Sequence, residues 1–138
     1  MKTTIIADSS GIISLISETD KNHARAVEIS GTLEKAKGSI IIPSDVFCET
    51  LNIAGKKLGH RIALTISEKI QSVNTFLILD TSEKIRKRAL EIFREQPESV
   101  SFTDCMVMAS ADSFETKDIF GFDEVFQKCG YKRLGLDQ

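Results

Sequence analysis

Short apolar runs alternate with longer amphipathic segments along this chain of 138 residues. The runs are rich in isoleucine, are bounded by turn residues and carry almost no charge, which is typical of parallel strands buried on both faces. Strands are predicted at residues 3–7, 39–42, 75–79 and 119–122, with a short fifth at 131–134. A parallel sheet needs helical crossovers, so this spacing predicts an α/β fold.

Helices are predicted between these strands, at residues 12–16, from Asp20 to about Lys37, and at 44–58, 62–73, 82–95 and 104–113. The second is expected to begin at Asp20 as N-cap and to face the core with Ala24, Val27, Leu33 and Ala36. Together the elements predict a mostly parallel sheet of four or five strands, flanked by helices on both faces. The length suits a single domain, residues 1–138.

Four acidic residues stand either at predicted strand ends, where ligands bind, or in helices where burial of a carboxylate costs free energy. Asp8 and Asp123 follow the first and fourth strands, and ligands of parallel sheets bind beyond the carboxyl ends of strands. Asp104 begins a helix that is apolar almost all round, and Glu49 lies within the helix at 44–58. Since no Lys or Arg stands beside them in sequence, we consider a shared cation the partner that would offset their burial.

Each acid also has a structural interpretation that the residues alone leave open. Asp8 and Asp123 could be turn residues at strand ends, Asp104 could favour the helix dipole, and Glu49 could face solvent. Asp45 and Asp112 are further acids near the same segments, and Asp112 lies about two helical turns beyond Asp104.

The segments around the four acids are IIADSS (5–10), IPSDVFCETL (42–51), SFTDCMVMASA (101–111) and GFDEVF (121–126). In this order and spacing they resemble the PIN-domain nuclease family, over the chain from Ile5 to Leu134. The length is similar to that of the VapC-type toxins of toxin–antitoxin pairs. One departure is Gly121, which stands where many members have Ser or Thr.

The resemblance implies a PIN-like fold and a metal-dependent endoribonuclease that hydrolyses RNA to 5′-phosphate and 3′-hydroxyl ends. It places Asp8, Asp104 and Asp123 as ligands of Mg²⁺ or Mn²⁺, with Glu49 holding the attacking water or accepting its proton. Ser9 and Thr103 are candidates to orient these carboxylates through their hydroxyls, although simple helix capping is an alternative. The resemblance also implies a homodimer and an antitoxin peptide over the acidic groove; the row Ile62, Ile66 and Ile70 could serve as an interface or as core.

Composition permits an RNA substrate without requiring one. The formal net charge of −2 becomes +2 when the four acids are set aside. Lys56, Lys57, His60 and Arg61 form a basic patch beyond the Glu49 helix that could contact phosphates, a solvated helix end being the alternative. We interpret the second basic segment, 84–88, as a solvated helix face.

The apolar runs are far shorter than the ~20 residues that span a bilayer, and the N-terminus lacks a signal-peptide core. We therefore expect a cytoplasmic protein with no membrane association. The three cysteines form no CxxC pair and the two histidines lie in no zinc-ligand spacing, so reduced thiols are expected rather than a zinc site.

Three other functions compete with this prediction. A phosphoacceptor module with Asp80 as acceptor would need adjacent acids after the first strand, where Ser9 stands. A PIN-like binding module without catalysis is disfavoured because all four acids are present. An RNA-processing nuclease that is not a toxin differs only in its biological partner.

Overall fold

A computed structural model describes residues 3–137, in which five strands form one sheet. The strands are β1 (Thr4–Ala7), β2 (Ser39–Pro43), β3 (Phe76–Leu79), β4 (Asp118–Phe120) and β5 (Lys132–Arg133). Their spatial order is β3-β2-β1-β4-β5, and every neighbouring pair is parallel. The predicted α/β class is confirmed, with a sheet that is wholly rather than mostly parallel.

Seven helices connect the strands in the described range. They are α1 (Ser9–Ile16), α2 (His23–Lys35), α3 (Ser44–Leu58), α4 (His60–Ser72), α5 (Glu83–Arg94), α6 (Phe102–Ser113) and α7 (Glu124–Lys128). Right-handed crossovers assign α1–α4 to one face of the sheet and α5–α7 to the other. The contacts agree, since α1 packs on α2 and α3, α3 packs on α4, and α6 packs on α5 and α7.

The core lies around the central strands and α6. Ile5 and Ile6 of β1 and Ile40 and Ile42 of β2 are completely buried, as β strands covered on both faces should be. In α6 every residue from 105 to 111 is buried, which confirms the prediction that this helix lies in the middle of the molecule.

The start and the inward face of α2 differ from the prediction. Its N-cap is Asn22, and the Asp20 carboxylate instead accepts hydrogen bonds from the Asn22 N–H (2.9 Å) and the Ser14 hydroxyl (2.8 Å). The predicted inward residues Ala24, Val27 and Ala36 are exposed, and only Leu33 is buried as expected. The face that packs inward carries Ala26, Ile29 and Leu33.

The predicted apolar row of α4 is only partly buried. Ile66 and Ile70 belong to the core, whereas Ile62 is exposed. None of the helices formed by residues 3–137 is long and apolar enough to cross a membrane.

Candidate active site

Two of the predicted acids, Asp8 and Asp123, follow the adjacent strands at which the strand order reverses. From β1 the chain moves outward through β2 to β3 and then returns to β4, on the other side of β1. The carboxyl ends of β1 and β4 are adjacent, and the Asp8 N–H donates to the Phe120 carbonyl at 3.0 Å. Such a reversal leaves a crevice between diverging crossovers, which is the usual ligand site of open parallel sheets.

Asp8 is the most buried of the four acids, with only 4% of its surface exposed. It caps α1, and its Oδ2 accepts from the Ser10 N–H (3.3 Å) and the Ser10 hydroxyl (2.7 Å). Its Oδ1 is buried and has no hydrogen-bond partner among the described residues. A buried carboxylate oxygen without a partner is costly and points to a ligand that completes the site.

Ser10 connects Asp8 to the loop that carries Asp123. Its hydroxyl donates to Asp8 Oδ2 and accepts from the Phe122 N–H at 3.0 Å. Ser10 therefore supplies the hydroxyl contact that the sequence analysis assigned to Ser9. Ser9 is buried but makes no side-chain hydrogen bond to the four acids in the described structure.

Gly121 explains how the site accommodates this arrangement. A Cβ at Gly121 would lie 2.9 Å from the Asp8 Cβ and 3.3 Å from the Ser10 Oγ. The Ser10 hydroxyl thus lies close to where a side chain at residue 121 would begin, so the absence of Ser or Thr at Gly121 leaves room for Ser10.

Asp104 lies in the first turn of α6 and is half-buried. The Ser101 hydroxyl caps this helix by accepting from the Asp104 N–H at 3.1 Å. Thr103, the other hydroxyl candidate, makes no side-chain hydrogen bond within residues 3–137. Ser101 was missed because the helix begins at Phe102, two residues before the predicted start.

The remaining two acids approach from opposite sides. Glu49 lies in the middle of α3 and is half-buried, and Asp123 caps α7 through an Oδ1 that accepts from the Val125 N–H at 3.0 Å. Asp123 is the exposed member of the four.

The four carboxylates are close enough to repel one another. Burial raises the pKa of Asp8 to about 6, against the hydrogen bonds from Ser10, and the charges of Asp104 and Glu49 raise it further. Partial burial also raises the pKa of Asp104, followed by repulsion from Asp123 and then Glu49, while hydrogen bonding with Ser101 lowers it. The charges of Asp104 and Glu49 thus act on Asp8, and those of Asp123 and Glu49 act on Asp104.

The donor chemistry of this site fits a hard divalent cation. Carboxylate oxygens are the preferred ligands of Mg²⁺ and Mn²⁺, and within residues 3–137 none of the four acids forms a salt bridge. The four carboxylates are not already arranged as a complete set of metal ligands. Within residues 3–137, no three Asp, Glu, His or Cys side chains have the geometry to hold one metal ion. A cation would relieve both the repulsion and the unpartnered Oδ1 of Asp8.

An arginine near the site was not predicted. Arg133 donates to the Phe122 carbonyl at 3.2 Å and binds both oxygens of Asp137, at 3.0 and 3.1 Å. Hydrogen bonding to Asp137 raises the pKa of Arg133, with Glu124 and Asp123 adding to the effect. The pair fastens the C-terminal residues to the loop preceding Asp123, a long-range contact that local sequence does not reveal.

The predicted basic patch divides between different surfaces. Lys57 lines a cavity together with Ser9 and Ser10, beside Asp8. Lys56 and His60 line a separate cavity between α3 and α4, and Arg61 is exposed on α4 outside both.

Comparison with known proteins agrees with this architecture. The sequence matches the PIN domain family over residues 5–130. The structure is similar to the crystal structure of Mycobacterium tuberculosis VapC20, described as a sarcin-ricin loop cleaving toxin, with a TM-score of 0.82 and 19% sequence identity. The alignment covers 93% of this chain and 96% of that chain. A search of curated proteins found no match.

Proposed function

This chain belongs to the PIN domain family, and from that premise we propose that it is a nuclease that hydrolyses RNA with Mg²⁺ or Mn²⁺. The observation that carries the proposal is the buried, unpartnered Oδ1 of Asp8, a carboxylate on which the negative charges of Asp104 and Glu49 also act. A purely structural carboxylate would have a hydrogen-bond donor or a cationic side chain at that oxygen. Here the charges that act on Asp8 are those of two other carboxylates, Asp104 and Glu49.

We assign Asp8, Asp104 and Asp123 to hold the cation. When bound, a divalent cation lowers the pKa of an attacking water and stabilises charge on the phosphate oxygens. Ser10 holds Asp8 in place, because its hydroxyl and N–H both bind Oδ2 and leave Oδ1 without a partner in the described structure. Ser101 stabilises the first turn of α6 and with it the position of Asp104.

Glu49 is proposed to orient the attacking water or to accept its proton. It is half-buried on α3 and contributes to the raised pKa of both Asp8 and Asp104, so it lies within reach of the same space. A general base must reach the nucleophile it deprotonates through a hydrogen bond, directly or by way of one water. The products expected are a 5′-phosphate and a 3′-hydroxyl.

We further propose that the chain is the toxin of a toxin–antitoxin pair. Support comes from the fold it shares with VapC20, a toxin, over nearly the full length of both chains. Growth arrest on expression, relieved by the product of a neighbouring small gene, would establish this role. Growth unaffected by the active enzyme would favour an RNA-processing nuclease instead.

We also expect two copies of the chain to associate. Strand β3 lies at the edge of the sheet, and its Leu77, Ile78 and Leu79 are exposed. An exposed apolar patch at an unpaired sheet edge is a surface on which another chain can pack. Sedimentation of the purified protein as a monomer at all concentrations tested would contradict this expectation.

The nuclease proposal is tested by cleavage of single-stranded RNA with Mg²⁺ or Mn²⁺. We expect the wild type to cleave and Asp104→Asn to lose about 100-fold or more of the rate, because one ligand charge is removed from the site. Circular dichroism of each variant checks that the fold is retained.

Asp112→Asn is the matched control on the same helix. Asp112 accepts from Tyr131 Oη (2.8 Å) and Arg88 Nε (2.9 Å), away from the acid cluster. We expect it to retain cleavage. Metal-dependent cleavage at the wild-type rate by a folded Asp104→Asn variant would refute the assignment, and no cleavage by the wild type would favour the inactive binding module.

A further inference from the structure

A groove leads away from Asp8 between α1, the α1–α2 loop and α3. We call it the α1–α3 groove, and its volume is about 590 Å³. Ser9 and Ser10, which directly follow Asp8, line one end of it. The cavity therefore opens beside the acid cluster.

The two helices align their residues along this groove. On α3, Glu49, Ile53 and Lys57 are spaced four residues apart and so share one face, with Glu49 at the acids and the other two lining the groove. Ser9 begins α1 and Ser17 directly follows its last residue, so these two lining residues are likewise eight residues apart. Eight residues of helix extend ~12 Å, so the lining continues for that distance from the acid cluster.

The lining combines an apolar surface with free polar groups. Ile13 and Ile53 contribute aliphatic surface. The Lys21 and Lys57 ammonium groups and the Asn22 carboxamide make no ion pair or side-chain hydrogen bond to residues 3–137, and all line the groove. Such a surface matches a nucleotide, whose base packs on apolar groups and whose phosphate binds cations.

The one carboxylate that lines the groove is already engaged. Asp20 accepts from the Ser14 hydroxyl at 2.8 Å and from the Asn22 N–H at 2.9 Å, which fixes the α1–α2 loop. The Asp20 carboxylate therefore already has hydrogen-bond donors from α1 and the α1–α2 loop.

A cavity on the other side of the acids has the opposite character. It measures about 550 Å³ and is lined by Asp104, Asp123 and Glu124. Its cation, Lys128, lies 3.8 Å from Glu124. Without a bound cation these carboxylates repel a polyanion, whereas the free ammonium groups of the α1–α3 groove attract one.

We propose that the α1–α3 groove binds the nucleotide of single-stranded RNA that adjoins the cleaved phosphate, with Lys57 contacting its backbone. The inference rests on the proposed nuclease function and names the part of the substrate that the enzyme holds. In this proposal the base of the nucleotide packs against the side chains of Ile13 and Ile53. The phosphate at the other end of this nucleotide lies over the four acids.

The test is the binding of a short fluorescein-labelled oligoribonucleotide, followed by fluorescence anisotropy with Ca²⁺ in place of Mg²⁺. We expect Lys57→Glu to weaken binding by about tenfold, because one phosphate contact becomes repulsive. The slope of log affinity against log salt concentration should fall by about one. Lys69→Glu, the same change at an exposed position of α4 that does not line the groove, should stay within about twofold of the wild type.

Equal affinities of Lys57→Glu and the wild type, or equal losses in Lys57→Glu and Lys69→Glu, would overturn the groove assignment. Because binding is measured without cleavage, this result is independent of whether the wild type is a nuclease. If the wild type cleaves, Lys57→Glu should raise KM by a similar factor and leave kcat nearly unchanged, as expected for a contact made before and during the reaction.

Discussion

Asp8 is held in an unfavourable state in the metal-free protein. Its burial, its unpartnered oxygen and the neighbouring negative charges all oppose ionisation, and its pKa is about 6 rather than 3.8. A carboxyl whose pKa is raised by folding stabilises the folded state only while it is protonated, so stability falls as pH rises from about 4 to about 6. Ionised Asp8 therefore lowers the free energy of unfolding of the metal-free protein, and we expect a bound cation to offset this loss.

Replacing Asp8 by Asn should stabilise the metal-free protein above pH 6. The two pKa values imply a gain of about 3 kcal/mol at neutral pH and little gain near pH 4, where Asp8 is protonated in both states. Urea unfolding in EDTA at several pH values measures this difference. A gain that does not grow with pH would show that Asp8 is not destabilised by its charge.

Residue type and position made Asp8 and Asp123 candidates for the site, and Glu49 and Asp104 were added through the resemblance to a family, but the groups that orient Asp8 and Asp104 could not be predicted. Asp8 and Asp123 stand at strand ends, which local sequence marks. Ser10 acts through a bond with Phe122, which is 112 residues away, so its role depends on how α1 lies against the loop after β4. Ser9 and Ser10 are equivalent in sequence and are distinguished only by that packing.

At the scale of elements, α1 must lie very close to β4 for Asp8 and Ser10 to reach their positions. A Cβ on Gly11 would lie 2.2 Å from the Phe120 carbonyl oxygen, so no side chain fits without moving backbone. The glycine is needed for this approach and not for an unusual backbone angle.

Gly11→Ala should therefore destabilise the protein by about 1–3 kcal/mol or more and reduce cleavage, since α1 carries Ser10 and begins at Asp8. Gly31→Ala is the control, because Gly31 lies inside α2 and a Cβ there meets nothing within 4 Å. That change should stabilise by about 0.5–1 kcal/mol. Thermal unfolding compares them, and equal stability of the two variants would show that the α1–β4 contact can relax.

The elements were largely predictable because apolar periodicity marks them, whereas the face of α2 was not. The predicted face with Ala24 and Val27 fits a helical period as well as the observed face with Ala26 and Ile29. Leu33 belongs to both faces, so it does not distinguish them. The choice is made by distant groups: Gly135 packs against Ile29, and Arg25 donates to the Gly135 carbonyl. Packing on α1 and on the folded C-terminal residues therefore determines which face turns inward.

At the scale of the whole molecule, the sheet order brings together acids from segments far apart in the chain. The return from β3 to β4 brings the strand end that precedes Asp123 next to the strand end that precedes Asp8. Helix α6 on one face and α3 on the other carry Asp104 and Glu49. Parallel α/β topology predicts that strand ends meet, but the meeting of the two helical acids required the resemblance to a family. The account as a whole depends on this convergence forming a cation site.

Titration with Mn²⁺, followed by the electron paramagnetic resonance signal of the free ion, tests this claim most directly. We predict saturable binding by the wild type and by Asp112→Asn, and at least about tenfold weaker binding by Asp8→Asn, since loss of even an indirect partner of a metal ligand costs 10–100-fold in affinity. Equal Mn²⁺ affinity in the wild type and Asp8→Asn would contradict the account.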